Sequence, residues 1–209
     1  MSAIENELRE GLLTLDMSLT DSQISQLLSY LELLHKWNRA YNLTAVEDPL
    51  EMVSLHLLDS LAIAPYLQGK GFIDVGTGPG LPGIPLAIAM PDRHFTLLDS
   101  NGKRVRFLFQ VRTQLKLANV EEVQARAESF QPQALYDGVI SRAYSSIRTM
   151  VQSTAHLLAP QGTFYAMKGR FPDRELSELV KPYTVTATHR LQVPAVDGER
   201  HLIEIGTAL

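Results

Sequence analysis

The chain of 209 residues contains no cysteine, so disulfides, thiolate metal sites and cysteine nucleophiles are excluded at once. It also lacks any excess of positive charge. Nineteen Lys and Arg stand against 23 Asp and Glu, a formal net charge of -4, whereas phosphate binding normally draws on surplus cations. Any nucleic-acid face must therefore be local. Long apolar runs are missing too: the longest, Leu81 to Met90, is broken by Pro82 and Pro85 and falls short of the roughly 20 residues that cross a bilayer. The start carries Glu5, Glu7 and Glu10 against Arg9 rather than the basic and apolar segments of a secretory signal, so a cytoplasmic location without membrane attachment is expected.

What is present is an ordinary globular composition, 45% apolar and 20% charged, at a length suited to one α/β domain with an extension. Thr20 and Gln23 form a capping-box pattern ahead of Ile24, Leu27, Leu28, Leu31 and Leu34, which predicts an amphipathic helix over 20–38. Asp48 before Pro49 marks a second start, with Met52, Leu55, Leu58 and Ala62 on one stripe. Residues 1–68 thus read as an N-terminal helical extension. From residue 69 to 209 the texture becomes that of one compact α/β unit. Strands are expected at 72–75, 95–98, 120–124, 138–140 and 163–167, with helices at 85–90, 103–117 and 146–158 between them. Strand-like segments at 183–193 and 201–205 follow each other without a helix, which predicts an antiparallel C-terminal hairpin. The expected fold is α/β: a Rossmann-like sheet of seven mostly parallel strands with the antiparallel hairpin at its C-terminal end.

The sharpest local feature is the run Asp74, Val75, Gly76, Thr77, Gly78, Pro79, Gly80, placed where the first strand turns into the first helix. Open α/β sheets bind ligands at that edge, and glycines let a ligand lie against the backbone. The dinucleotide pattern G-x-G-x-x-G would need glycine at position 81, which is Leu81, and Pro79, Pro82 and Pro85 each remove a phosphate-gripping amide. An NAD-linked oxidoreductase is therefore disfavoured. S-adenosylmethionine, which has no phosphate, suits the loop: Asp74 lies near its cationic groups, and Asp99, 19 residues after Gly80, is placed to accept both ribose hydroxyls. Arg126, Ala127 and Glu128, after the third strand, fall where an adenine would lie.

The fourth strand reads Asp137, Gly138, Val139, Ile140, Ser141, Arg142, Ala143. It lacks the Asn/Asp-Pro-Pro-aromatic turn typical of exocyclic-amine methylation, and pyrimidine C5 chemistry needs the cysteine that is absent. A ring nitrogen with a free lone pair, such as guanine N7, remains; positioning then matters more than proton transfer. Arg142 is the candidate catalytic residue, either orienting the cofactor carboxylate or engaging the guanine, with a structural ion pair as the competing reading. His56, Asp59 and Ser60 could line the same pocket, although a buried, satisfied histidine is at least as good a reading. Between Ser100 and Val120 there is no acid, while Lys103, Arg104, Arg106, Arg112 and Lys116 make a local basic face. Further RNA-facing candidates are Lys36 and Arg39 with Trp37 and Tyr41, Lys168 with Arg170, and Arg200 with His201.

These segments together resemble the RsmG family, formerly glucose-inhibited division protein B. The resemblance runs through His35-Lys36-Trp37-Asn38, Tyr41-Asn42-Leu43-Thr44, His56-Leu57-Leu58-Asp59-Ser60, Asp74 to Pro85, Leu97-Leu98-Asp99-Ser100, Ile140-Ser141-Arg142-Ala143 and Asp197-Gly198-Glu199-Arg200-His201. It implies methylation of guanine N7 in small-subunit (16S) rRNA, expected at guanine 527 in the 530 loop. It also implies S-adenosylmethionine as cofactor, with Gly76, Leu81, Ala127, Glu128 and Arg142 at cofactor-contacting positions. The expected partner is 16S rRNA in the subunit or an assembly intermediate, and the expected state is a monomer. The alternative is a non-catalytic cofactor-binding or RNA-chaperone module in ribosome assembly.

Overall fold

Local capping sets the helices. In the computed structural model, which describes residues 2–142, 144 and 146–207, Ser2 accepts a hydrogen bond from the Glu5 N–H and starts α1 (Ala3–Thr14), whose Leu8 and Leu12 are buried. Ala143, the last residue of the fourth-strand motif, lies outside the described residues. Both halves of the capping box form at Thr20 and Gln23, and α2 (Asp21–Tyr41) runs three residues beyond its expected end, to a left-handed Asn42 at φ 50°. Asp48 accepts from the Leu50 N–H and opens α3 (Pro49–Met52). The stripe that follows is not a plain α-helix. It widens into a π-helical turn at Val53–Leu58 before α4 (Asp59–Leu61), a feature often found beside functional sites.

The remaining chain alternates strand and helix: β1 (Gly71–Val75), α5 (Gly83–Ala89), β2 (His94–Asp99), α6 (Gly102–Leu115), β3 (Val120–Gln124), β4 (Tyr136–Ser141), α7 (Ile147–Thr154), β5 (Leu158–Lys168), α8 (Asp173–Ser177), β6 (Tyr183–Leu191) and β7 (Arg200–Thr207). The sheet order is β3-β2-β1-β4-β5-β7-β6. β1 to β5 are parallel, and β7 runs antiparallel to both β5 and β6. This is the expected seven-stranded sheet with its antiparallel hairpin. The largest boundary differences fall at α7 and β5. The helix expected to reach residue 158 ends at Thr154, and Leu158 already pairs with Tyr136; the register then slips before Gly138 meets Thr163, which leaves the Pro160-Gln161-Gly162 stretch as a bulge. The five-residue α8 has too few apolar positions to leave a periodic signature in the sequence.

Apolar residues fill both faces of the sheet. Leu27, Leu34, Leu57 and Leu58 of the N-terminal helices share one buried cluster with Phe72, Leu86 and Phe107. The opposite face packs Ile73, Val139 and Ile203 against Ile147 and Met150 of α7. Among the described residues, no helix is long and apolar enough to cross a membrane. The carboxyl ends of β1, β2, β4 and β5 and the start of β7 are therefore held at one edge, where the loops converge.

Candidate active site at the carboxyl edge of the sheet

β1 delivers Asp74 to the centre of that edge, fully buried. Its Oδ2 accepts from the Thr77 hydroxyl (2.6 Å) and from the Gly83 N–H (2.9 Å), so the carboxylate braces the glycine loop from beneath. Burial pushes the Asp74 carboxyl up to about 6; the Asp99 charge adds to this, while the two hydrogen bonds and the Arg142 charge oppose it. At neutral pH the group is ionised and places a negative charge under the loop.

Above it, Gly76 and Gly78 adopt φ of +68° and +61°, and a Cβ on either would meet nothing within 4 Å. The loop is pinned to β2 by the Gly76 and Thr77 N–H groups, which both donate to the Leu98 carbonyl (2.9 and 3.1 Å). Asp99, at the end of β2, accepts from the Gly78 N–H (3.0 Å) and Arg104 Nη1 (3.2 Å) at Oδ2, and from the Asn101 N–H (2.8 Å) at Oδ1. A cavity of about 350 Å³ opens beside these groups, with Gly76, Asp99, Arg104, Ala127, Glu128 and Tyr144 in its wall. Its size suits a small ligand.

The nine positions expected to hold a cofactor thus separate. Gly76, Asp99, Ala127 and Glu128 line this cavity, and Gly78 joins it through its bond to Asp99. Asp74 lies behind the loop. Gly80 and Leu81 face the core: a Cβ on Gly80 would sit 2.5 Å from Ile84 and 2.9 Å from Leu108, and Leu81 is buried. Arg142 points to a different cavity. Among the wall residues absent from the sequence-based site are Arg104 and Tyr144; Arg104 stood out only as part of a basic run, and Tyr144 carried no signal.

The amides at the start of α5 are already committed. Gly80 and Leu81 N–H donate to the Thr77 carbonyl, Gly83 N–H to Asp74, and Ile84 N–H to the Gly80 carbonyl (2.7 Å), while Pro79, Pro82 and Pro85 have none to give. A pyrophosphate would find no row of free amides here, so the geometry speaks against a dinucleotide and for a ligand without phosphate.

On the far side of the β4 end lies a second cavity of about 350 Å³, walled by Leu55, His56, Asp59, Arg142, Met167 and Arg200 among others. Arg142 Nη1 donates to the Leu55 carbonyl (3.1 Å) and to Asp59 Oδ2 (3.4 Å), and Arg200 Nε donates to Asp59 Oδ1 (3.1 Å). Asp59 is 4% exposed, and burial raises its carboxyl pKa against the pull of the two guanidinium groups. His56 is driven down to about 4, mainly by burial, so its ring is neutral at pH 7; Nε2 lies 2.8 Å from the Thr44 hydroxyl. Among the described residues, the Ser60 hydroxyl bonds back to the His56 carbonyl alone.

Several cations expected to face RNA are tied down instead. Arg104 pairs with Asp99, Arg112 with Glu122 (2.6 Å), Lys168 with Glu175 (2.8 Å) and Arg200 with Asp59. Trp37 packs its ring 5.5 Å from Phe107 and stacks on the exposed Tyr41. Lys103 and Arg106 remain on α6 with no ion-pair partner among the described residues.

A parallel sheet of this order closed by an antiparallel β7, with a ligand cavity at the first crossover, defines the class I methyltransferase fold. Solved structures agree: the glycopeptide N-methyltransferase MtfA in complex with S-adenosylmethionine superimposes with TM-score 0.63 at 12% identity, covering 74% of this chain and 88% of that one. The N-methyltransferase NodS from Bradyrhizobium japonicum does so with TM-score 0.55 at 16% identity, covering 73% and 93%. The chain belongs to the rRNA small subunit methyltransferase G family, whose sequence profile matches residues 23–203. Among its relatives, the ribosomal RNA small subunit methyltransferase G of Escherichia coli O17:K52:H18 (strain UMN026) is 58% identical over 200 residues, 96% of this chain and 97% of the relative. That of strain K12 / DH10B is 59% identical over 189 residues, 90% and 91%.

Proposed function

We propose that the chain transfers a methyl group from S-adenosylmethionine to N7 of a guanine in 16S rRNA, at guanine 527 of the 530 loop, acting as a cytoplasmic monomer on the small subunit or its assembly intermediate. The observation that carries this reading is the pair of cavities flanking the end of β4, the first bearing a nucleoside-type acid, Asp99, and no free row of phosphate-gripping amides. The family membership and the 58% identity to a named rRNA methyltransferase supply the substrate class.

S-adenosylmethionine supplies an electrophilic methyl group on a sulfonium. Asp99 would accept from the ribose hydroxyls, Ala127 and Glu128 would border the adenine, and Gly76 leaves room where a side chain would intrude. N7 of guanine carries its own lone pair, so no residue has to remove a proton first. The surroundings agree with that: His56, driven down to about 4, is a weak proton acceptor, and Asp59 is engaged by two arginines.

Asp74 gives the reading a pH signature. The free carboxyl titrates near 6 and is negative above it. The donor's sulfonium is positive at every pH, so affinity should be full at pH 7.5 and fall as pH drops through about 6, when Asp74 takes up a proton. Isothermal titration from pH 5 to 8 reads this directly. Asp74→Asn should bind more weakly at pH 7.5 and lose the slope; an unchanged slope would remove Asp74 from the electrostatics of binding.

The activity itself is tested in cells. Mass spectrometry of 16S rRNA nucleosides from a strain lacking the gene should show one fewer 7-methylguanosine per molecule, restored by the wild-type chain. Unaltered 7-methylguanosine would favour the non-catalytic assembly role.

A further inference from the structure

The second cavity lies apart from the proposed donor site and differs in its lining, which joins apolar walls to a fixed pair of guanidinium groups. We infer that it seats the target guanine base, and that Arg142 and Arg200, clamped together by Asp59, read its O6. This rests on the methyl-transfer reading above and adds the residues that choose the base.

Position comes first. The end of β4 separates the two cavities, with Tyr144 in the wall of one and Arg142 in the wall of the other. A base that is to receive a methyl group must lie beside the donor cavity with its N7 in direct reach of the methyl carbon, and an enzyme that modifies a base seats it, unstacked, in a fitted pocket. The walls suit a base: Val46, Leu55, Met167 and Leu191 offer apolar surface for its faces, and Arg142 and Arg200 bring polar groups into the same wall.

The donors then select the base. Arg142 spends Nη1 on Leu55 and Asp59, and Arg200 spends Nε on Asp59 and Nη1 on the Glu199 carbonyl (2.8 Å). Nε and Nη2 of Arg142 and Nη2 of Arg200 have no hydrogen-bond partner among the described residues. Guanine offers acceptors at O6 and N7 on one edge, which arginine matches. N7 has to stay open to the incoming methyl, which leaves O6 for the guanidinium groups. Adenine would bring an amino group to the same place, donor against donor, and be rejected. Lys168 does not compete for this role, because both oxygens of Glu175 hold its ammonium (2.8 and 3.1 Å).

Asp59 is the positioning residue. It comes from the end of the π-helical turn, while Arg200 starts β7, 141 residues further along the chain. One buried carboxylate bonded to both guanidinium groups removes the rotamer freedom that long side chains would otherwise lose on meeting the base.

The test uses small subunits reconstituted with 16S rRNA carrying guanine, or 2-aminopurine, at the methylated position; 2-aminopurine keeps N7 and the 2-amino group but lacks O6. Wild-type enzyme should methylate the analogue about 10- to 100-fold more slowly than guanine. Arg200→Gln should lose rate on guanine but discriminate between the two bases by less than about threefold, Asp59→Asn should fall between, and both should bind the methyl donor as tightly as wild type. If the arginines grip a backbone phosphate instead, each variant will slow equally on both bases and keep the wild-type discrimination, and the inference is overturned. Should a variant melt below the assay temperature, wild-type enzyme with 6-thioguanine at the target position decides the matter by photocross-linking. A cross-link to residues 46–59, 167–169 or 191–201 supports the seat, and one elsewhere refutes it. No transfer to guanine by wild type defeats the methyl-transfer reading; transfer without any discrimination against 2-aminopurine defeats this inference alone.

Discussion

Replacing Gly76 by valine is expected to cut affinity for S-adenosylmethionine at least about 100-fold, a loss of roughly 3 kcal/mol, while leaving a folded protein. Gly76 lines the donor cavity, and its missing Cβ faces open space, so a side chain there enters volume that the ligand needs. The backbone cost is separate. A non-glycine residue at φ +68° costs about 1–2 kcal/mol, which lowers the melting temperature by roughly 2–8 °C in a chain of this size. Gly80→Val supplies the control. It carries the same kind of strain at φ +98°, but its Cβ meets Ile84 and Leu108, so overpacking adds about 1–3 kcal/mol. Gly80→Val should thus melt lower than Gly76→Val, yet whatever remains folded should still bind the donor. Calorimetry and thermal melts on the two variants read both quantities; if Gly76→Val binds normally, the cavity is not the donor site.

Arg142→Ala should lower kcat about 100- to 1,000-fold, the scale seen when one positioned donor is removed from a reacting centre. Its stability should fall by no more than about 1–2 kcal/mol. The small stability loss follows from the partner's situation. Asp59 keeps Arg200 after Arg142 is gone, and the Arg142 side chain is 27% exposed, so its own desolvation is incomplete. Arg142→Lys should recover the stability but little of the rate, because an ammonium cannot bond the Leu55 carbonyl, Asp59 and a substrate in one plane. Single-turnover rates beside denaturant unfolding separate the two effects. A rate loss that disappears once the variants are compared at equal fractions folded would make Arg142 a structural ion pair.

How far the sequence revealed this arrangement depends on the range of each interaction. Strands 72–75 and 95–98 were legible because short apolar runs bounded by turn residues leave few other solutions, and α2 because its capping box and leucine spacing agree. Gly76 and Gly78 were legible because their backbone needs positive φ. Gly80 has a positive φ as well, but its place against Ile84 and Leu108 depends on how α5 and α6 pack, which no local pattern encodes. The π-helical turn at Val53–Leu58 keeps the apolar spacing of an ordinary helix and so stayed hidden. The clamp of Arg142 and Arg200 on Asp59 joins residues 83 and 141 positions apart. Arg142 could be singled out from the β4 motif, and Asp59 and Arg200 could be named as polar groups in suggestive segments. Only the assembled sheet brings the three to one cavity.

The most direct measurement combines the purified chain, methyl-labelled S-adenosylmethionine and small subunits from cells lacking the gene, followed by nuclease digestion and mass spectrometry of the labelled fragment. One methyl group per subunit, on N7 of guanine 527, is the expected result. Tight binding of the donor with no transfer, or transfer to a carbon or an exocyclic amine, would contradict it.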